Sequence, residues 1–123
     1  DADVAIHAIT DAVLGAIAAG DIGEHFPPSD PEWKNVSSDV FLKHAVNLVA
    51  KKKGIINSID ITIVCEEPKI GPHRDLIRSN ISKIMDFDID RISIKATTTE
   101  KLGFTGKGQG IMVHAVATIK LLE

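Results

Sequence analysis

Residues 110–122 constrain the fold more than any other stretch of this sequence. In an extended strand successive side chains alternate between faces. Ile111, Val113, Ala115, Ala117, Ile119 and Leu121 then fall on one face, and Met112, His114, Val116, Thr118, Lys120 and Leu122 on the other. Both faces carry apolar groups. One face is expected to pack on helices, and the other to meet another subunit or a ligand cavity.

The rest of the chain supplies the cover. Ile6, Ile9, Val13 and Ile17 recur at helical spacing. They predict a helix capped by Asp1 or Asp3, running to about Ala19 and ended by Gly20. Residues 20–36 contain Pro27, Pro28 and Pro31 and read as a loop of a length that is usually functional or mobile. Ser37 or Ser38 caps a second helix to about Lys53, with Phe41, Ala45, Leu48 and Val49 inward and Gly54 as its stop. Ile59, Ile61, Ile63 and Cys65 alternate as a strand. Pro72 opens a third helix to about Met85, carried by Leu76, Ile77, Ile81 and Ile84. Ile92, Ile94 and Ala96 form a strand ahead of the last one. This order implies a layered α/β (α+β) sandwich, a small mixed β-sheet with helices on one side.

At 123 residues the chain is expected to be one domain, 1–123. Aromatics make up 4% with no tyrosine, so the core is aliphatic and stacking platforms for nucleic acid are not expected. The formal net charge of −3 lacks a basic footprint for nucleic acid. The single cysteine, Cys65, excludes an internal disulfide and fits a reducing compartment. No apolar run reaches the length of a membrane span, and no membrane partner is expected.

The chemistry concentrates in Lys95-Ala-Thr-Thr-Thr-Glu-Lys-Leu-Gly-Phe-Thr-Gly-Lys-Gly-Gln-Gly110. Threonine hydroxyls and backbone N–H groups donate to phosphate oxygens. Glu100 offers a carboxylate to a hard cation bridging two phosphates. Lys101 and Lys107 add positive charge. Gly103, Gly106, Gly108 and Gly110 let the backbone approach a ligand. By residue type alone, a strand end with a solvated loop explains the segment equally well.

The order of residues is more specific. Ala96-Thr-Thr-Thr-Glu-Lys-Leu-Gly-Phe-Thr-Gly106 closely resembles the signature of the 2-C-methyl-D-erythritol 2,4-cyclodiphosphate synthase family. Asp1-Ala-Asp-Val-Ala-Ile-His7 with Thr10-Asp11, Gly20-Asp-Ile-Gly23 with Phe26-Pro27, and Pro68-Lys-Ile-Gly-Pro-His73 resemble the same family in the same order. The family also carries an Asp-x-His motif on a first strand upstream of these blocks. The chain opens at a helix start with no initiator methionine, so residues before Asp1, including that strand, are expected to lie outside it.

The resemblance implies roles residue by residue. His7 would be one protein ligand of a catalytic Zn2+ whose others are the Asp-x-His pair. With that pair absent, 1–123 alone is expected not to hold zinc in its normal geometry, and its own turnover is a separate question. Asp3 and Asp11 lie four residues to either side of His7 and share its stripe of the helix, where a carboxylate can orient the imidazole. Asp21, Ile22 and Gly23 would bind the methylerythritol part of the substrate. Phe26 to Asp30 resembles a flap over that pocket, with Trp33 either packing it down or only anchoring the loop. The loop of Cys65, Lys69 and Gly71 would hold cytosine, mostly through main-chain atoms, with Lys69 in reach of a phosphate. Thr97, Thr98, Thr99 and Glu100 would contact phosphates, Thr98 catalytically, while Glu100 binds a second ion, Mg2+ or Mn2+. Phe104 and Lys107 would continue the nucleotide site. His25, His44 and His114 receive no role, and His73 is taken as structural.

The reaction implied is the conversion of 4-diphosphocytidyl-2-C-methyl-D-erythritol 2-phosphate to a cyclic diphosphate and CMP, a lyase step of non-mevalonate isoprenoid biosynthesis. The resemblance also implies a homotrimer with active sites between subunits and a central apolar cavity able to take an isoprenoid diphosphate. It implies a cytoplasmic location of bacterial type, with a plastid origin left open. The competing readings are a non-catalytic nucleotide- or anion-binding oligomeric module and a structural oligomerisation module. CMP release separates the enzyme from both.

Overall fold

The computed structural model describes residues 2–66, 71–108 and 110–122. Helix α1 spans Ala2–Ala16. Its buried stripe is Ala5, Ile6, Ile9, Val13 and Leu14, and Ile17 just beyond the helix is buried too, the spacing of one helix face. Thr10 sits on this stripe at 0% exposure, and its hydroxyl donates to the carbonyl of Ile6 at 2.8 Å. A buried hydroxyl needs such a partner. The helix stops at Ala16, short of the predicted Ala19, because Ala18 turns left-handed at φ 55°. That conformation usually ends helices at glycine. Gly20 serves the next turn instead: at φ 89°, a Cβ there would lie 2.2 Å from a carboxylate oxygen of Glu24.

The segment read as a loop contains a short helix, α2, Ile22–His25, and a 3-10 turn at Pro31–Trp33. Two aspartates create these turns. Asp21 and Asp30 each accept from the backbone two or three residues ahead, a local bond that competes well in a Pro-rich stretch. Helix α3, Ser38–Lys51, buries Ser38, Leu42, Ala45 and Val49. Leu42, rather than the predicted Phe41, is the core residue of its first turns, and Phe41 and Leu48 are half-buried. Gly54 does not stop this helix. Lys53 makes the left-handed turn at φ 58°, and Gly54 begins the next strand.

Strand β1, Gly54–Val64, lies at the centre of a three-stranded sheet of order β2-β1-β3. It pairs parallel with β2, Ile92–Thr97, and antiparallel with β3, Met112–Leu121. Ile61 faces Ile94 on one side and Ala115 on the other. A register shift between Ile56 and Ser58 lets Ile56 and Ile59 both point inward with Ile61 and Ile63. The parallel pair requires a crossover, and helix α4, Arg74–Met85, provides it. Ile81 and Met85 are its buried residues, with Ile77 and Ile84 packed at the margin. Leu76, predicted inward, is 72% exposed because the buried face is the one carrying Ile77, Ile81 and Met85. Arg78 fixes α4 to the start of β2, donating to the carbonyls of Ile92 and Ile89 at 2.9 Å each.

The helices cover one face of the sheet, as the two-faced last strand requires. Val113, Ala115, Ala117 and Ile119 of β3 pack on the core. The opposite face carries Met112, His114 and Val116 in the open, together with a Lys95–Asp60 ion pair at 2.9 Å and the Ser58 and Thr118 hydroxyls 2.6 Å apart. Val116 is 60% exposed. Ala96, predicted to alternate inward with Ile92 and Ile94, is exposed near the strand end. Among the described residues no helix is long and apolar enough to cross a membrane.

Candidate functional site

Strands β1 and β2 end side by side, Val64 opposite Thr97. The N–H of Cys65 donates to the carbonyl of Thr97 at 3.1 Å, one step past the ladder. The crevice outside the carboxyl ends of parallel strands is where open α/β sheets bind ligands. Both loops that leave these ends are segments singled out from the sequence. Their register is fixed across the gap by Lys101, whose backbone N–H donates to Glu66 Oε1 at 2.9 Å.

The Thr97–Lys107 segment folds into a tight turn held by local bonds. Glu100 and Lys101 both hold positive φ, 53° and 68°. Non-glycine residues rarely adopt that conformation, and each costs about 1–2 kcal/mol. Local bonds oppose that cost. Thr98 Oγ1 accepts from the N–H of Glu100 at 3.2 Å, and the Thr99 hydroxyl donates to the carbonyl of Leu102. Helix α5, Gly103–Gly106, follows at once. Gly106 is buried against the turn: a Cβ there would lie 2.2 Å from the carbonyl carbon of Lys101 and 2.7 Å from Thr99 Oγ1. The backbone folds back too closely for any other residue. Gly110 meets the ring of Phe104 in the same way, at 2.9 Å. On this frame Thr97, Thr98, Glu100, Lys101, Phe104 and Lys107 are exposed, while Thr99 is half-buried. Cys65 is buried, and Gly71 is exposed at the start of a 3-10 turn. Lys69, with Glu67, Pro68 and Ile70, lies outside the described residues.

A second cluster forms where α1, α2 and α3 meet. Asp11 Oδ1 accepts from the N–H of Ile22 at 3.0 Å, holding α2 on α1. Asp21 Oδ1 accepts from Glu24 N–H, also at 3.0 Å, and caps α2. Gly23 is exposed and Ile22 half-buried. Phe26 is buried, its ring centroid 4.5 Å from Phe41 and 4.7 Å from Trp33, which meets it edge-on at 90°. Trp33 therefore packs edge-on against Phe26 and holds the Pro-rich segment to it. His7 is exposed on α1, 5.8 Å from the Phe41 ring. Its flanking carboxylates do not orient it. Asp3 takes the Ser38 hydroxyl at 2.6 Å, and Asp11 is engaged by Ile22.

Among the described residues no three His, Cys, Asp or Glu side chains converge as metal ligands. His7 therefore fits a metal as one imidazole donor only, with further donors needed from beyond the described residues. Glu100 is an exposed carboxylate beside the phosphate-type hydroxyls and fits a hard cation whose other ligands are phosphate oxygens. Sequence reasoning missed Glu66 as the tie between the two loops, because it takes part through a backbone partner 35 residues away. It also missed the pairing of His25 with His44 beside Phe26, which only tertiary packing creates.

The YgbB family model matches residues 1–120. The chain belongs to the YgbB family. Relatives in this family bear the name expected from Ala96 to Gly106. The 2-C-methyl-D-erythritol 2,4-cyclodiphosphate synthase of Roseobacter denitrificans is 56% identical over 119 residues, covering 97% of this chain and 75% of that protein. The bifunctional enzyme IspD/IspF of Caulobacter vibrioides is 55% identical over 120 residues, 98% of this chain. This chain spans only 31% of that bifunctional enzyme's length. Its fold is similar to the IspF–CDP complex of Plasmodium falciparum, with TM-score 0.83 and 35% identity over 96% of this chain and 70% of that one. The small mixed sheet with helices on one side is thus the family's fold.

Proposed function

We propose that this chain is the phosphate- and nucleotide-binding part of an enzyme that carries out the cyclodiphosphate synthase reaction of non-mevalonate isoprenoid biosynthesis, its zinc site completed by donors from beyond the described residues. An oxygen of the substrate's 2-phosphate attacks the β-phosphorus. The bond from the β-phosphorus to the bridging oxygen breaks, and CMP leaves with that oxygen. No protein nucleophile is required. The task is to hold two phosphoryl groups in line and to balance their charge.

The observation that carries this reading is the tight Thr97–Lys107 turn at the paired ends of β1 and β2, tied to the 65–66 loop by Glu66. Strained, bond-locked backbone is typical of ligand clamps. In this reading Thr97, Thr98 and Thr99 bind the phosphates, and the Thr98 hydroxyl donates to a phosphoryl oxygen as charge grows there. Lys107 supplies a cation and Phe104 an apolar wall. The loop of Cys65, Lys69 and Gly71 takes cytosine, in line with the CDP-bound relative. Asp21, Ile22 and Gly23 bind the sugar-alcohol end under the Phe26–Asp30 flap, the Asp21 carboxylate keeping its second oxygen for hydroxyl donors. Glu100 would hold Mg2+ or Mn2+, and His7 would give one ligand to Zn2+. When bound, such ions neutralise phosphate oxygens.

The exposed sheet face of Met112 and Val116 calls for cover, and a homotrimer enclosing an apolar cavity for an isoprenoid diphosphate supplies it. The test is CMP release from the diphosphocytidyl substrate. Thr98→Val should lower it by about 10²-fold, a larger loss than that of CDP binding, which Thr97, Thr99 and Lys107 also support in this reading. A protein that binds CDP and never releases CMP from the substrate is a binding module instead.

A further inference from the structure

His25 and His44 form a hydrogen-bonded chain that the proposed chemistry does not use. His25 Nε2 lies 2.6 Å from the carbonyl oxygen of Ala19. A carbonyl only accepts, so this nitrogen carries the proton. In the neutral ring the other nitrogen, Nδ1, is then an acceptor, and it lies 3.3 Å from His44 Nε2. His44 must donate. The chain thus runs from α3 through His25 on α2 to the backbone after α1. One proton added to the pair only reverses the donor, since a charged ring can donate to its neutral neighbour, and the contact is lost when both rings are charged. The two rings lie 5.2 Å apart, and the His44 ring meets Phe26 edge-on at 4.9 Å. Phe26 in turn carries Trp33.

We infer that His44 is a positioning residue: through His25 it latches α2 and the Phe26–Trp33 flap onto α3, and protonation of the pair opens that latch. This rests on the reading that Asp21 to Gly23, on the latched segment, bind the sugar-alcohol end of the substrate.

The surroundings favour the neutral pair. Burial holds His44 below the ordinary imidazole range, with the neighbouring His25 and then Lys51 adding to the effect. The acidic groups nearby are engaged elsewhere. Asp11 on α1 takes Ile22 N–H, Asp21 caps α2, and the Glu24 carboxylate lies against Gly20. On the flap, Asp30 caps the turn at Glu32. Once both imidazoles are charged, no hydrogen bond between them is possible, and two like charges face each other.

Trp33 is the only tryptophan and the chain has no tyrosine, so intrinsic emission reports this cluster alone. Emission should be followed from about pH 8 to about pH 5, with far-UV circular dichroism as the check on folding and proton NMR of the imidazole C–H groups to time the histidines. The wild-type chain should show a red shift of Trp33 emission as the second imidazole of the pair takes up its proton, at constant helix content. His44→Gln keeps a neutral donor for His25 Nδ1 and should keep the neutral-pH spectrum but lose the step. A flat wild-type trace, or an identical step in His44→Gln, overturns the latch. The readout is independent of turnover. A chain that shows the step but binds no CDP counts against the synthase reading and not against the latch.

Discussion

The backbone N–H of Lys101 lies 2.9 Å from Glu66 Oε1. These residues belong to loops that leave neighbouring parallel strands, so one carboxylate sets the separation of the two walls of the proposed nucleotide site. Lys101 and Glu100 sit in the left-handed region on the far side of this bond. The site is therefore a folded turn with its own tertiary anchor, and most of the changes considered below act on that turn or on the latch beside α2.

Glu100→Gln tests the second metal. The residue is exposed, so its loss should leave folding intact. Titration calorimetry with and without magnesium should show CDP losing most of its metal dependence in the variant, with CMP little changed, since only CDP offers two phosphates to bridge. Equal effects on both ligands would remove Glu100 from the metal.

Gly106→Ala places a Cβ 2.2 Å from the Lys101 backbone. Backbone cannot yield as a side chain end can, so the turn must shift at a cost of about 1–3 kcal/mol. The expected outcome is a folded protein with a lower Tm and at least about tenfold weaker CDP binding, the equivalent of 1.4 kcal/mol. Unchanged CDP affinity would show that the turn geometry is not needed.

Two leucines separate core from surface. Leu42 is fully buried and Leu76 is 72% exposed. Leu42→Ala should cost about 2–5 kcal/mol, and Leu76→Ala should stay within about 0.5 kcal/mol, both read by urea denaturation.

Stability should depend on pH through His44. Its folded pKa lies below the unfolded value of about 6.5, chiefly because of burial. As pH falls below that value, the unfolded chain takes up the proton first, so the native state loses stability. Stability is fully present above the unfolded pKa and declines from there down toward the folded one. Denaturant midpoints measured across this window should fall with acid in the wild type and fall less in His44→Gln.

In the proposed trimer the exposed outer sheet face of Met112 and Val116 is covered by association. Light scattering should give the mass of three chains, and Val116→Asp on that face should lower it. A monomeric mass for the wild type would contradict the trimer.

Much of this fold was legible from periodicity. The stripe from Ile6 to Val13 states which side of α1 is buried, and the alternation of β3 states that one face packs on helices, the face of Val113, Ala115, Ala117 and Ile119. What was not legible depends on left-handed non-glycine residues and on distant partners. Ala18 and Lys53 make turns that were assigned to Gly20 and Gly54. Leu42 and Phe41 are neighbours on a helix, and only the packing of α1 decides which goes inward. The family was legible where residue order is specific, from Ala96 to Gly106. Glu66, His25 and His44 were not, since their partners lie 35, 6 and 19 residues away and no local pattern marks them.

The most direct measurement is phosphorus NMR of 4-diphosphocytidyl-2-C-methyl-D-erythritol 2-phosphate incubated with the purified protein and divalent metal. The expected result is loss of the three substrate signals with CMP and one cyclic diphosphate appearing in equal amounts, and strong slowing in Thr98→Val. Persistence of the substrate signals while CDP still binds, or CMP formed together with an open-chain diphosphate, would contradict the proposed cyclisation.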